Sequence, residues 1–376
     1  MDFGPDVSTY ADQRVGLFGD SFFPLHRGHL EVIEHAAAQV DVLFVAVLVN
    51  EEYERELCAR GREGFDPDTH VGAASTTGSH ANPEFVLISA RLRERWLSEL
   101  FAQHPNVRVL AAPATLPVPG LTDAGLADFT ANYRALEVRC HHIDTVFCQT
   151  ADAARAIGTI APETSCIALP STLKRSAQIR RDGVHAHWAD LPEPVQLHYT
   201  KRVAFCGWES SGKSYTAEHI AKELGTTCVP EYGREYYERL NGYEDIGESQ
   251  DALNTASGQL HSLERARGNK ILCVDTDLIY TQFYHLKDFG WMHPALDALI
   301  KARAEKIDEW IFLEPRNPLA DDGSRFRYDD DERRATSNAL QDMYRHYGVS
   351  LHVVDEADDA RRLTVCRELV RSFFGG

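Results

Sequence analysis

Val203-Ala204-Phe205-Cys206-Gly207-Trp208-Glu209-Ser210-Ser211-Gly212-Lys213-Ser214 runs an apolar segment straight into Gly-x-x-x-x-Gly-Lys-Ser. The apolar part reads as a buried strand and residues 215–224 as the following helix. The glycines therefore sit at a strand-to-helix turn. There Gly207 and Gly212 let the backbone of Glu209, Ser210 and Ser211 curl so that its N–H groups face a phosphate chain. Lys213 reaches the β- and γ-phosphates, and the Ser214 hydroxyl can hold Mg²⁺. The positive end of the helix adds to the anion site.

This loop lies at mid-chain. With 376 residues, the chain exceeds what one core usually serves, and two domains of roughly 150–200 residues are expected. The expected division is a tail over 1–13, a first domain over 14–190, a linker over 191–200 and a second domain over 201–376. The 39 Lys+Arg against 57 Asp+Glu give a net charge of −18. Such a surface repels nucleic acid and anionic membrane, so phosphate-bearing ligands must rely on local basic clusters. No apolar run is long enough to span a bilayer and the N-terminus has no basic-then-apolar signal, so a cytoplasmic protein is expected. The eight cysteines form no C-x-x-C pair. Cys148, Cys206 and Cys273 lie in apolar runs and read as small buried hydrophobes.

The first half opens with a strand at Arg14–Gly19, a helix to about Gln39, and the unbroken apolar run Val42–Val49. Such a run suits a parallel strand covered on both faces. Residues 53–89 mix Gly, Ser, Thr, His and Pro and read as a long surface loop or insertion. A helix from Arg91 and strands at Val107–Ala111, Thr145–Gln149 and Cys166–Leu169 follow. Asp182–Leu197, with Trp188, Pro192 and Pro194, reads as a connection. His26 and His29 stand three apart at the start of the first helix with Gly28 between them, which places both rings on one face at its positive end. Such a pair can hydrogen-bond a triphosphate at its α-phosphate and stabilise the charge that develops on attack. Two surface histidines are the competing account.

In the second half, Asp275 ends the strand over 270–274, where parallel sheets place ligands, and can hold the nucleotide's Mg²⁺. Capping the next helix is the alternative. Glu231, close to the loop with Arg234 nearby, can accept the proton of an attacking hydroxyl. Arg325 and Arg327 suit a closing lid over the transferring phosphoryl group, with a solvated charged loop as the other reading. Strands at Glu309–Leu313 and Leu351–Val354 and a helix over about 357–373 complete an α/β pattern.

Several of these motifs are more specific than a phosphate loop. Glu231-Tyr232-Gly233-Arg234-Glu235-Tyr236, Asp275-Thr276-Asp277 with Thr281-Gln282, and Ala320-Asp321-Asp322-Gly323 resemble the kinase domain of the bifunctional NadR family. Phe22-Phe23-Pro24-Leu25-His26-x-Gly28-His29, with Ser176–Arg180, resembles that family's adenylyltransferase half. The resemblance implies two α/β domains with mainly parallel sheets: an N-terminal Rossmann-like nucleotidyltransferase fold and a C-terminal P-loop kinase fold.

It also implies an NAD salvage enzyme, both ribosylnicotinamide kinase and nicotinamide-nucleotide adenylyltransferase. Its ligands would be ATP, Mg²⁺, nicotinamide riboside, nicotinamide mononucleotide and NAD. Arg180 would contact phosphate, with Lys174 and Arg175 adding positive charge, and Phe22 and Gly28 would line the nucleotide. Two positions depart from the family pattern. Asp20-Ser21 replaces the usual glycine followed by lysine or serine, and Lys174-Arg175-Ser176 is altered. A carboxylate at Asp20 either repels a triphosphate or, with Mg²⁺ or a neighbour such as Arg27 or Lys174, helps hold it. Only about 13 residues precede the first strand, too few for a helix-turn-helix, so no nucleic-acid partner is expected. The oligomeric state is open. A kinase with an impaired N-terminal domain and a nucleotide-sensing regulator without turnover are the alternatives.

Overall fold

A computed structural model describes residues 10, 12–50, 54–55, 88–113, 136, 140, 142–170, 176–240, 247–315 and 330–373. The chain divides into two compact units, Met1–Tyr199 and Thr200–Gly376.

The first unit is built on β1 (Val15–Asp20), α1 (Arg27–Ala37), β2 (Val42–Val49), α2 (Ala90–Leu100), β3 (Val107–Pro113), β4 (Thr145–Cys148), α3 (Ala151–Ile160), β5 (Ser165–Ala168), α4 (Ser176–Asp182) and α5 (Glu193–Tyr199). Its sheet has the order β3-β2-β1-β4-β5, and every pairing is parallel. In β2 the side chains alternate between two cores. Leu43, Val45 and Val47 join one; Val42, Phe44 and Ala46 join the other. That is why the run is apolar at every position. The strand order reverses at β1, so the crevice between the carboxyl ends of β1 and β4 is the switch point where such sheets bind ligands.

Residues 193–199, part of the stretch read as a connection, form a helix. Leu191, Val195 and Tyr199 pack into the first unit's core. Pro194 sits in the first turn, where a missing N–H breaks no helical bond.

The second unit contains β6 (Lys201–Cys206), α6 (Lys213–Leu224), β7 (Cys228–Val229), α7 (Tyr232–Glu238), α8 (Asp251–Arg265), β8 (Ile271–Asp275), α9 (Leu278–Phe289), α10 (Pro294–Lys301), β9 (Glu309–Leu313), α11 (Asp330–His346), β10 (Leu351–Val354) and α12 (Asp359–Ser372). Its sheet order is β10-β9-β6-β8-β7, again all parallel. Val203 and Phe205 of β6 face one core and Ala204 another, so the strand that feeds the phosphate loop is central and covered on both faces. Among the described residues, no helix is long and apolar enough to cross a membrane.

Candidate active sites

In the second unit, the loop between β6 and α6 has left-handed backbone at Gly207 (φ 145), Ser210 (φ 57) and Gly212 (φ 83). Gly207 is obligatory, because a Cβ there would lie 2.4 Å from the Leu313 carbonyl oxygen and 2.7 Å from Ser211 Oγ. The buried Arg362 of α12 donates from Nη1 to the Ser211 carbonyl and is itself anchored on the Glu356 carbonyl. A guanidinium thus braces the loop from a helix about 150 residues away in sequence, and nothing in the local pattern of α12 announces it.

Lys213 is buried, with Nζ donating to Tyr280 Oη at 3.2 Å and standing 4.8 Å over that ring. Burial opposes its charge, but Tyr280, Glu231 and Asp275 hold its pKa above the ordinary lysine value. Asp275 ends β8 beside it. Burial pushes its carboxyl up to about 6, against the pull of Lys213 and a hydrogen bond from Ser214. Its Oδ1 is buried with no partner. Asp277, two residues on, plays a different part. It caps α9 by accepting Tyr280 N–H at 2.9 Å and takes the Trp310 indole N–H at 2.7 Å and the Tyr344 hydroxyl at 2.9 Å.

Glu231 occupies the N-cap position of α7 and interacts electrostatically with both Lys213 and Asp275. Arg234 adds a stabilising charge to Asp275. The loop lysine, the Ser214–Asp275 pair and Glu231 thus gather at one end of the sheet. Sequence reading missed Gln259 of α8, which accepts Tyr232 N–H at 2.9 Å and keeps a buried, unpartnered Nε2. Arg325 and Arg327 lie outside the described residues.

In the first unit, His26 is the N-cap of α1 and His29 its third residue. Both are buried, and their rings stack at 3.7 Å between centroids. His29 Nδ1 accepts His26 N–H at 3.2 Å. The proton of a neutral His29 is therefore on Nε2, which faces Asp20 Oδ2 at 3.5 Å. Burial works against the Asp20 charge, yet His29 and His26 lower its pKa to about 2. For Arg27 this corrects the expectation of a charge partner to Asp20. Arg27 donates instead to the Ala189 carbonyl at 2.9 Å, and Lys174 and Arg175 lie outside the described residues.

His26 is the more isolated ring. Burial and the neighbouring His29 push its pKa down to about 2, and neither ring nitrogen has a partner. Phe22 (φ 51) packs edge-on against His29 at 4.9 Å, and Gly28 is buried in the first turn of α1.

The turn before α1 is held from three sides. Arg180 Nη1 donates to the Phe23 carbonyl and Ser176 Oγ to the Pro24 carbonyl at 3.2 Å. Arg93, fully buried, donates to the Ser21 carbonyl at 2.6 Å and forms a bidentate pair with Glu54 at 2.8 and 2.7 Å. Arg180 therefore braces the histidine turn while lying within electrostatic reach of His26.

Fold and sites together define an α/β protein with two candidate sites, each at the carboxyl end of the central strand of its own parallel sheet. A family model described as an AAA domain matches residues 202–362. The chain is 29% identical over 370 residues to the trifunctional NAD biosynthesis/regulator protein NadR of Salmonella typhimurium, covering 96% of this chain and 84% of that protein. It is 28% identical to the NadR of Escherichia coli over 375 residues, covering 96% and 83%. A crystal structure of a NadR protein in complex with NAD and AMP-PNP shares the fold with a TM-score of 0.70 at 19% identity, over 97% of each chain. A short stretch of 37 residues, 10% of this chain and 23% of the other, is 51% identical to a phosphopantetheine adenylyltransferase of Clostridium perfringens. The chain is thus similar to NadR proteins through both of its units.

Proposed function

We propose that the protein is an NAD salvage enzyme with two active sites. The observation that carries this reading is the presence of two separate phosphate-handling constellations in a chain similar to NadR over nearly its whole length. In the second unit, ATP lies along the loop and nicotinamide riboside presents its 5′-hydroxyl to the γ-phosphorus. The hydroxyl oxygen forms the new P–O bond as the bond to the β-phosphate oxygen breaks. ADP leaves, and Glu231 takes the hydroxyl proton. Lys213 stabilises the charge that moves onto the β/γ bridging oxygen.

Mg²⁺ fits this site: Ser214 brings a hydroxyl to Asp275, whose Oδ1 is buried and unpartnered, and hard oxygen donors are what Mg²⁺ takes. Bound there, it would neutralise phosphate charge. Arg325 and Arg327 are proposed to contact the transferring phosphoryl group.

In the first unit, a phosphate oxygen of nicotinamide mononucleotide attacks the α-phosphorus of a second ATP, the α–β P–O bond breaks and pyrophosphate leaves, giving NAD. His26 offers two unpartnered ring nitrogens at that point. His29, stacked on it, and Arg180, behind the turn, add positive potential.

One observation favours a second reading, a kinase with an impaired first site: Asp20 Oδ2 stands 3.5 Å from the His29 N–H that a phosphate would use. The test is to incubate pure protein with nicotinamide riboside, ATP and Mg²⁺ and resolve the products by chromatography. NAD supports both sites; mononucleotide alone rejects the adenylyltransferase; no product rejects the kinase. Lys213→Ala should lower riboside phosphorylation roughly 10²-fold or more while NAD formation from supplied mononucleotide persists. His29→Ala should do the reverse, by about 10²–10³-fold.

A further inference from the structure

A phosphate-loop lysine must be held out over the loop before any phosphate is there to hold it, and a buried ammonium needs a partner. Lys213 has one in Tyr280, whose Oη it reaches at 3.2 Å. Tyr280 in turn donates to Tyr284 Oη at 3.1 Å, and Tyr284 donates to Glu209 Oε1 at 2.6 Å. The direction of this chain is forced. An ammonium can only donate and a carboxylate can only accept, so each phenol between them accepts from the lysine side and donates toward Glu209. Hydrogen bonds so aligned polarise one another.

Both ends of the chain belong to the same loop, and both rungs come from one face of α9, four residues apart. The rings add to the grip. Tyr284 stacks on Trp208 at 5.3 Å and 23°, and Tyr280 meets Tyr284 edge-on at 4.9 Å. Helix α9 therefore touches the loop at Trp208, Glu209 and Lys213. Because Tyr280 is neutral, it orients the ammonium without cancelling its charge and leaves the other two N–H groups for phosphate oxygens.

We propose that Tyr280 is a positioning residue for Lys213, and that Tyr280 and Tyr284 form a splint that keeps the phosphate loop in its nucleotide-accepting shape. This rests on the kinase reading of the second unit. A purely structural pair would act through its rings, whereas the splint acts through its hydroxyls, so phenylalanine separates the two.

The experiment compares wild type, Tyr280→Phe, Tyr284→Phe and the double variant in the full chain. It measures thermal midpoint, calorimetric affinity for Mg²⁺–AMP-PNP, and kcat and KM for riboside phosphorylation. Tyr280→Phe should weaken analogue affinity and lower kcat, each roughly tenfold, the scale of losing a hydrogen bond to a charged group, with the riboside KM and thermal midpoint little changed. The double variant should be within about twofold of Tyr280→Phe, because both substitutions cut one chain and their effects cannot multiply. Should Tyr280→Phe lose its thermal transition, Tyr284→Phe carries the same comparison one link further out.

Analogue affinity and kcat within twofold of wild type, or single effects that multiply in the double variant, would overturn the splint. A wild type that binds the analogue but phosphorylates no riboside would defeat the kinase reading alone, since the affinity comparison among the variants would still decide the role of Tyr280.

Discussion

Both ring nitrogens of His26 are buried without a hydrogen-bond partner, and an unmet buried polar group costs about 1–3 kcal/mol. A phosphate oxygen that accepts from the ring N–H recovers the part of this cost that the donor carries, which is the physical reason to place phosphate beside His26. The same isolation has a pH signature. Burial and His29 lower the folded-state pKa of His26 to about 2, while the unfolded chain protonates near 6.5. A depressed pKa means that the unfolded state binds the proton first, so the stability His26 contributes is full above about pH 6.5 and is lost as pH falls below it, by at most about 1.4 kcal/mol per pH unit. The stability difference between wild type and His26→Gln, read from urea midpoints, should therefore shift against wild type between pH 7.5 and pH 5. A difference that stays constant would mean that His26 is hydrated. Asp20 gives a second test. A carboxylate 4 Å from a phosphate costs up to about 4 kcal/mol at an effective dielectric of about 20, unless His29 balances it, and His29 is its main attractive partner. Because Asp20 Oδ2 faces His29 Nε2 at 3.5 Å and orients that ring, Asp20→Asn should slow adenylyl transfer roughly tenfold and leave phosphorylation unchanged. A faster adenylyl transfer would show that Asp20 competes with ATP for His29.

At the scale of the elements, α8 makes an exacting contact. A Cβ on Gly258 would lie 2.0–2.3 Å from the Tyr232 ring, and Tyr232 directly follows Glu231. Alanine in a helix interior gains about 1 kcal/mol over glycine, but the ring of Tyr232, a residue whose backbone N–H is tied to Gln259, cannot absorb such an overlap without moving. Gly258→Ala should therefore displace α7 with Glu231 and depress riboside phosphorylation by at least tenfold, measured against an unchanged rate of adenylyl transfer; an unaffected kinase would detach Glu231 from the reaction. Most strands of both sheets were legible because covered parallel strands are largely apolar, and β2 is apolar at every position. Val42–Val49, Glu309–Leu313 and Leu351–Val354 stand where the sequence pattern puts them. The helix over 193–199 was hidden by Pro192 and Pro194, which read as loop signals unless the first turn is known to tolerate them. The candidate site residues of local motifs, such as Lys213 and His26, were legible because their pattern is contiguous in sequence. Arg93, Tyr280 and Arg362 were not, because what they do depends on which helix packs on which loop, and no periodicity in α2, α9 or α12 encodes that.

For the whole molecule, the proposed function implies a relation between two reactions. Each constellation is drawn entirely from its own unit: His26, His29 and Arg180 from residues before 199, and Lys213, Glu231 and Asp275 from residues after 200. No residue proposed for one reaction belongs to the set proposed for the other. The intermediate, nicotinamide mononucleotide, is a small charged solute, and the chain's charge of −18 gives its anionic phosphate no long-range attraction to linger near the surface. The second reaction should therefore accept mononucleotide from solution. Lys213→Ala, which cannot make the intermediate, and His29→Ala, which cannot use it, should each fail to turn nicotinamide riboside into NAD alone, yet succeed when mixed. NAD should appear after a lag in which free mononucleotide accumulates, and diluting both variants together should lengthen that lag, as expected when each step's rate follows its own enzyme's concentration. Chromatographic time courses would register all three species. Wild type whose NAD keeps the full label of labelled nicotinamide riboside in the presence of excess unlabelled mononucleotide would show that the intermediate does not pass through solution.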